Sequence, residues 1–209
     1  GLTNRLGEVI LYHSLTALKD WDKANMSVPS VSVNFSHEEL SDPTLTDRVR
    51  WELDRFDLAP DRLVVEILET VISRSDNDMI TRNVSQLHDL GCGIDLDDFG
   101  TGHASIANIR RFSVGRIKID RAFVTHVDTD REQQALLTAI LEMADRLGIE
   151  TLAEGVETAG EHALLSQLGC GYVQGFSIAR PMAYADTLDW IAEHMRRVSD
   201  RPRITREAG

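Results

Sequence analysis

Apolar and polar positions along the chain follow two alternating spacings, which predict helices separated by short strands. Residues 4–24 carry apolar side chains at helical spacing. Residues 31–35 alternate β-branched or aromatic residues with polar ones, as is typical of a strand. Asp42 and Pro43 follow, and we interpret Asp42 as the N-cap of a helix with Pro43 at its first position.

This strand-then-helix unit recurs through the rest of the chain. Further strands are predicted at residues 63–66, 93–97, 115–119, 150–153 and 171–174, and further helices at 78–90, 104–111, 131–147, 159–168 and 184–197. Three of the helices end on a Leu-Gly pair, where glycine readily adopts the left-handed cap conformation. One helix-to-strand joint repeated in successive units indicates a (β/α) barrel or a doubly wound sheet.

The number of strands favours the barrel. A complete (β/α)8 barrel takes about 250 residues, whereas this chain has 209 residues. A doubly wound sheet would place a Gly-rich phosphate loop after its first strand, and the sequence has none there. We therefore predict an α/β fold, a TIM-like (β/α)8 barrel without its first one or two units, over residues 1–198. Residues 199–209 are expected to form a disordered tail.

Composition and charge limit the classes of molecule that the chain can bind and the compartment in which it can function. The chain has 34 acidic and 22 basic side chains and a formal net charge of -12, which argues against binding of a DNA or RNA polymer. The only cysteines, Cys92 and Cys170, fit a reducing compartment. No apolar run approaches the roughly 18 residues of a membrane span. We expect a cytoplasmic protein, or the cytoplasmic domain of a larger, membrane-attached one.

Each predicted strand ends in a polar residue. These residues are Asn34, Glu66, Asp97 with Asp98, Lys118, Glu154 and Gln174. One such residue can simply mark a strand running into a polar loop, but the full set is harder to explain in that way. In (β/α) barrels the C-terminal ends of the strands meet at one mouth, where catalytic groups lie.

Carboxylates gathered at such a mouth repel one another unless cations lie among them. Their hard oxygen atoms suit Mg²⁺ or Mn²⁺. Two such ions about 4 Å apart can activate water and stabilise the leaving oxygen of a phosphodiester. Lys118 would balance phosphoryl charge or position the water, although a solvated lysine at a strand end is the plainer interpretation. Gly100 and Gly102 permit a mobile loop over the mouth.

Six short motifs along the chain resemble those of a known protein family. They are Ser32-Val33-Asn34-Phe35-Ser36, Glu66-Ile67-Leu68-Glu69-Thr70, Asp97-Asp98-Phe99-Gly100-Thr101-Gly102, Ile117-Lys118-Ile119-Asp120, Glu154-Gly155-Val156-Glu157 and Gln174-Gly175-Phe176. With these motifs in this order, the chain resembles the EAL-domain cyclic-di-GMP phosphodiesterases up to about residue 197. The resemblance implies a TIM-like barrel and a metal-dependent hydrolase.

The resemblance also implies a ligand set for two metal ions, Mg²⁺ or Mn²⁺. Asn34, Glu66 and Asp97 would bind the first ion, and Asp97 with Asp98 would bind the second. Lys118 would contact the nucleophilic water, which makes it part of the catalytic machinery.

Further residues take catalytic or substrate-binding roles through the same resemblance. Glu154 is implied as the general base, and Glu69 and Glu157 as residues that hold the loop after the paired aspartates. Gln174 and Asp120 are implied near the substrate.

The implied reaction is hydrolysis of one phosphodiester bond of cyclic di-GMP to linear pGpG. Domains of this family often dimerise and accompany sensory or diguanylate-cyclase modules in one polypeptide. We therefore expect cyclic di-GMP as ligand, a homodimer, and a longer chain carrying such modules.

Two features depart from the family pattern. The Glu-Ala-Leu tripeptide that names the family does not occur in the 209 residues, and we expect it upstream of Gly1 in a longer domain. Asp95 stands where the family has a small or apolar residue, and it shares strand parity with Asp97. Asp95 could add a like charge to the barrel interior, but we expect it to pair with a neighbouring group.

Two other functions stay open. The chain could be a catalytically inactive EAL-like receptor that binds cyclic di-GMP. It could also be a TIM-barrel glycosidase that uses Glu66 and Glu154 as its carboxylate pair, but this leaves Asp97, Asp98 and Lys118 unexplained.

Overall fold

Strands and helices alternate through most of the chain. The computed structural model describes residues 2–73, 78–101 and 106–199. The strands are β1 (Val31–Asn34), β2 (Leu63–Leu68), β3 (Gly93–Phe99), β4 (Arg116–Ile119), β5 (Glu150–Ala153) and β6 (Tyr172–Val173). The helices are α1 (Leu2–Lys23), α2 (His37–Leu40), α3 (Leu45–Phe56), α4 (Glu69–Ser73), α5 (Asp78–Leu90), α6 (Ile106–Arg111), α7 (Arg131–Leu147), α8 (Ala159–Gln167) and α9 (Thr187–Ser199). Within these ranges, every helix is too short or too polar to span a bilayer.

The strands form one parallel sheet in sequence order. Each strand pairs only with the strands before and after it, from β1 to β6. This order belongs to the wall of a (β/α) barrel, because a doubly wound sheet reverses its strand order at a switch point. The predicted TIM-like barrel architecture with fewer than eight strands is confirmed. Gly102, Ala104 and the predicted tail from residue 200 onward lie outside the described residues.

The two faces of the sheet differ in chemistry because successive strand residues point in opposite directions. One face is apolar and packs against the helices in a buried core, which includes Val65, Ile67, Ile94, Leu96 and Ile117 together with side chains of α1, α3 and α5. The other face carries the charged residues Glu66, Asp95, Asp97, Arg116 and Lys118. The packing of the first face therefore fixes the position of the charges on the second.

Three sequence-based boundaries are wrong in detail. Asp42 is not the N-cap of a helix, because the N-cap of α3 is Thr44. The Asp42 carboxylate instead accepts hydrogen bonds from the Thr44 amide (2.9 Å) and hydroxyl (2.7 Å). These bonds close a turn that contains Pro43, and α3 begins only at Leu45. Strands β2 and β3 also run beyond Glu66 and Asp97, so both acidic residues lie inside strands.

Because one face of the sheet is buried and the other is not, substitutions of neighbouring residues of β2 should differ in their effect on stability. Ile67 is 0% exposed in the core and Leu68 is 39% exposed on the other face. We expect Ile67→Ala to lower the free energy of unfolding by about 2–5 kcal/mol through loss of buried contacts. Leu68→Ala, the matched control, should cost clearly less. Urea denaturation of both variants tests this, and equal losses would contradict the assignment of faces.

Candidate active site

A buried lysine lies at the centre of the charged face. The Nζ atom of Lys118, on β4, is 2.9 Å from Glu66 Oε2, 2.9 Å from Asp97 Oδ1 and 2.8 Å from Glu154 Oε1. Its side chain is 5% exposed, and those of Glu66 and Asp97 are 9% and 12% exposed. One ammonium group therefore ties together carboxylates from β2, β3 and the residue after β5.

This cluster strongly favours the charged form of Lys118. Burial alone would lower the pKa of the lysine, but hydrogen bonds to Glu154 and Asp97 and the charge of Glu66 raise its pKa well above the usual value. Burial raises the pKa of Glu154, an effect that Lys118 opposes and that the charges of Asp97 and Glu66 reinforce. One cation thus faces several carboxylates, and the cluster keeps an excess of negative charge.

An irregular stretch of β3 brings both paired aspartates to the site. Side chains of consecutive strand residues normally point to opposite faces. Here the register with β4 shifts between Leu96 and Phe99, and Asp98 adopts a left-handed backbone with φ of 55°. Such irregularities re-aim side chains and recur near functional sites. As a result, ligand oxygens of Asp97, Asp98 and Glu154 lie within 4.8 Å of one another.

The chemistry of this group fits a hard divalent cation. Three carboxylates offer the oxygen ligands that Mg²⁺ and Mn²⁺ prefer. Burial, followed by repulsion from Asp97 and Asp120, raises the pKa of Asp98, so added positive charge would relieve the cluster. Asn34 lies in register with Glu66 on the neighbouring strand and is exposed. The predicted ligands thus lie on adjacent strands.

The loop after the paired aspartates is held by the first residue of α4, which directly follows β2. The Gly100 amide donates a hydrogen bond to Glu69 Oε2 at 2.8 Å, and Glu69 is 2% exposed. Gly100 has a φ of 101°, and a Cβ atom there would lie 2.5 Å from the Phe123 ring. Glycine is therefore required at the point where the loop passes over the site.

A cavity of about 320 Å³ opens beside the carboxylates. It is lined by Asp98, Asp120, Arg121, Glu154, Gly155, Glu157, Gln174, Gly175 and Phe176. Five of these were predicted as site residues: Asp98, Asp120, Glu154, Glu157 and Gln174. The Asp120 carboxylate also accepts a hydrogen bond from the Ala122 amide at 2.8 Å, and the Glu157 amide donates to Glu161 Oε2 at 2.9 Å.

Four lining residues were not predicted as site residues: Arg121, Gly155, Gly175 and Phe176. Arg121 follows the Lys118 motif directly, and Phe176 closes the Gln174 motif, so adjacency to a strand-end motif was the available signal. The guanidinium of Arg180 lies 4.6 Å from the centre of the Phe176 ring. An aromatic face and a cation therefore border the acidic mouth.

The expectation that Asp95 pairs with a neighbouring charge is confirmed. Its carboxylate accepts a hydrogen bond from Arg116 Nε at 2.8 Å and a second one from the same guanidinium. Burial raises the pKa of Asp95, an effect that Arg116 opposes.

Comparisons with known proteins agree with this geometry. The family model described as "EAL domain" matches residues 1–181. The bifunctional diguanylate cyclase/cyclic di-GMP phosphodiesterase MucR of Pseudomonas aeruginosa is 33% identical over 192 residues, which cover 92% of this chain and 28% of MucR. This chain spans under a third of the length of the first curated relatives that it matches.

Solved structures of relatives superpose closely on the chain. The MucR phosphodiesterase in complex with c-di-GMP has a TM-score of 0.83 at 33% identity, covering 90% of this chain and 75% of that one. The EAL domain of Mycobacterium smegmatis DcpA has a TM-score of 0.86 at 25% identity, covering 93% of this chain and 87% of that one.

The buried cluster predicts a large effect of Lys118 on stability. Lys118→Met leaves Glu66, Asp97 and Glu154 without their shared counter-ion, and we expect unfolding in chelator to become easier by about 3–5 kcal/mol. Lys19→Met is the control, because Lys19 forms a longer, exposed pair with Asp57 at 3.6 Å and should cost at most about 1 kcal/mol. Equal losses in urea denaturation would contradict the counter-ion role.

Proposed function

The chain belongs to the EAL domain family, and from that premise we propose that it hydrolyses one phosphodiester bond of cyclic di-GMP to give linear pGpG. The observation that carries the proposal is that ligand oxygens of Asp97, Asp98 and Glu154 lie within 4.8 Å of one another beside Lys118. The name of MucR and its complex with c-di-GMP support this choice of substrate.

We propose that the carboxylates hold two divalent ions, Mg²⁺ or Mn²⁺. Asn34, Glu66 and Asp97 would hold one ion, and Asp97 with Asp98 would hold the other, with Glu154 close to both aspartates. Ions bound in this way supply Lewis acidity to the phosphoryl oxygens and a more acidic water. The excess negative charge of the cluster favours their binding.

The protein's own groups then orient and move protons. Lys118 keeps its proton and presents a fixed positive charge to the phosphoryl group and the attacking water, where preorganised charge is most effective. Glu154 is the proposed general base, because a carboxylate with a raised pKa accepts a proton more readily. The two groups contact each other directly, with 2.8 Å between Lys118 Nζ and Glu154 Oε1.

The remaining site residues position loops and substrate. Glu69 fixes the backbone of Gly100, and therefore the segment that follows the paired aspartates. Glu157, Gln174 and Asp120 line the cavity beside the carboxylates, where a bound nucleotide would lie. We propose that Gln174 and Asp120 contact the substrate and that Glu157 supports the same loop region.

The glycosidase alternative receives little support from the geometry. A retaining or inverting glycosidase needs one carboxyl group protonated to act as an acid. Glu66 and Glu154 instead lie 2.9 Å and 2.8 Å from the same ammonium of Lys118, and a glycosidase would leave the neighbouring Asp97 and Asp98 without a role. The receptor alternative differs only in the absence of turnover and is an outcome of the assay below.

Partners form part of the same proposal. We propose that the chain acts as a homodimer within a longer polypeptide that carries sensory or diguanylate-cyclase modules. The name of MucR combines diguanylate cyclase and phosphodiesterase activities, which supports the proposal of a longer polypeptide.

The assay that tests this function follows conversion of cyclic di-GMP to pGpG by chromatography. We expect hydrolysis with Mg²⁺ or Mn²⁺ and a loss of at least about 100-fold after chelation, because the metal supplies both electrophile and activated water. Cyclic di-AMP is the control for base selectivity. Nucleotide and Mn²⁺ binding without any turnover would establish the receptor alternative instead.

Two substitutions separate metal binding from charge stabilisation. Asp97→Asn should lower turnover by about 100-fold or more, since Asp97 is shared between both proposed ions. Lys118→Ala should lower kcat by about 100-fold or more while KM changes little, because its charge acts chiefly in the transition state. Wild-type turnover by Asp97→Asn would exclude the two-metal assignment. Asp22→Asn, which loosens a pair with Arg62 on another part of the fold, is the control.

A further inference from the structure

A second charged layer, formed by Asp95 and Arg116, lies two residues before Asp97 and Lys118 along β3 and β4 and beside Glu66 of β2. In the sheet, Asp95 is the register neighbour of Glu66 on one side and of Arg116 on the other. Asp95 precedes Asp97 by two residues, and Arg116 precedes Lys118 by two residues, so both pairs point to the same face. Asp95 is 3% exposed. Its charge is therefore poorly screened by solvent.

The two charges of this layer cancel each other. The Arg116 guanidinium donates two hydrogen bonds to the same oxygen of Asp95, one of them at 2.8 Å. Its other side is covered by the Tyr172 ring, whose centre is 5.1 Å from the guanidinium carbon. The Tyr172 hydroxyl donates to Glu150 at 3.2 Å. These contacts hold Arg116 over Asp95 and away from the carboxylates of the layer above.

The layer is close enough to act on the site electrostatically. Residues two apart in a strand are separated by about 6–7 Å, and a unit charge at that range in a protein interior changes ion binding by an order of magnitude. An unpaired Arg116 would oppose a divalent cation. An unpaired Asp95 would attract one and would also compete with Glu66 and Asp97 for Lys118.

We propose that the Asp95–Arg116 ion pair sets the divalent-cation affinity of the site by keeping the layer beneath it neutral. The inference rests on the proposed metal site and concerns its regulation. Neither residue is a ligand. Asp95 prevents Arg116 from repelling the metal, and Arg116 prevents Asp95 from drawing Lys118 out of the cluster.

Calorimetric titration of the whole chain with Mn²⁺ tests this inference without any need for turnover. We expect Asp95→Asn to weaken Mn²⁺ binding about tenfold, because it leaves Arg116 uncompensated. Arg116→Gln should bind Mn²⁺ more tightly than the wild type, because it leaves Asp95 uncompensated. The double variant Asp95→Asn/Arg116→Gln should return to within about threefold of wild-type affinity. A purely structural role predicts the opposite, with the double variant at least as impaired as either single one.

The matched control is Asp22→Asn, which breaks a comparable pair with Arg62 at 2.8 Å on another part of the fold and should leave Mn²⁺ affinity unchanged. Unchanged affinity in Asp95→Asn, or no rescue by the second substitution, overturns the inference. If Asp95→Asn fails to fold, Arg116→Gln is compared with the double variant. Tighter binding by the single variant supports the inference, and equal or weaker binding overturns it. Absence of Mn²⁺ binding by the wild type contradicts the proposed metal site itself.

Discussion

The architecture of the site depends on one electrostatic constraint, which is that buried carboxylates need positive charge nearby. Glu66, Asp97 and Glu154 come from three different βα units, and each reaches the ammonium of Lys118. Desolvation opposes every one of these charges, and only their mutual proximity offsets it. The cluster is therefore both a structural joint between neighbouring strands and a concentration of negative potential. The concentrated negative charge opposes formation of the cluster, and the same charge attracts divalent ions.

The parallel sheet supplies the geometry that this constraint requires. Its helix-facing side is a continuous apolar core, so the register of the strands is fixed by packing. With the register fixed, the charged residues of β2, β3 and β4 lie side by side at two levels. The upper level contains Asp97 and Lys118, and the lower level contains Glu66, Asp95 and Arg116. Two layers of charge thus depend on a single hydrophobic face.

The sequence allowed much of this arrangement to be predicted. The repeated strand-then-helix pattern indicated a barrel, and strand-end positions identified Glu66, Asp97, Lys118 and Glu154. The barrel prediction was confirmed because alternation and repeat are local properties of the chain, and the fold brings these four residues together. The resemblance supplied what alternation does not, namely Glu69 as a residue that holds the loop after the aspartates.

Other features depend on contacts that no local pattern encodes. The turn at Asp42 depends on hydrogen bonds that its carboxylate accepts from the amide and the hydroxyl of Thr44. The choice of Arg116 as the partner of Asp95 depends on strand register, and Arg121 enters the cavity through the path of the chain after β4. The conformation of Asp98 is likewise a result of the shift in pairing between β3 and β4.

That conformation restricts which amino acids position 98 can accept in the course of evolution. A left-handed backbone is accessible to glycine and, among other residues, chiefly to asparagine and aspartate. Glycine would relax the backbone without offering an oxygen ligand, asparagine would offer a neutral one, and glutamate would carry the charge on a less tolerant backbone. Aspartate alone meets both demands. A substitution at position 98 should therefore change the chemistry of the site rather than be neutral.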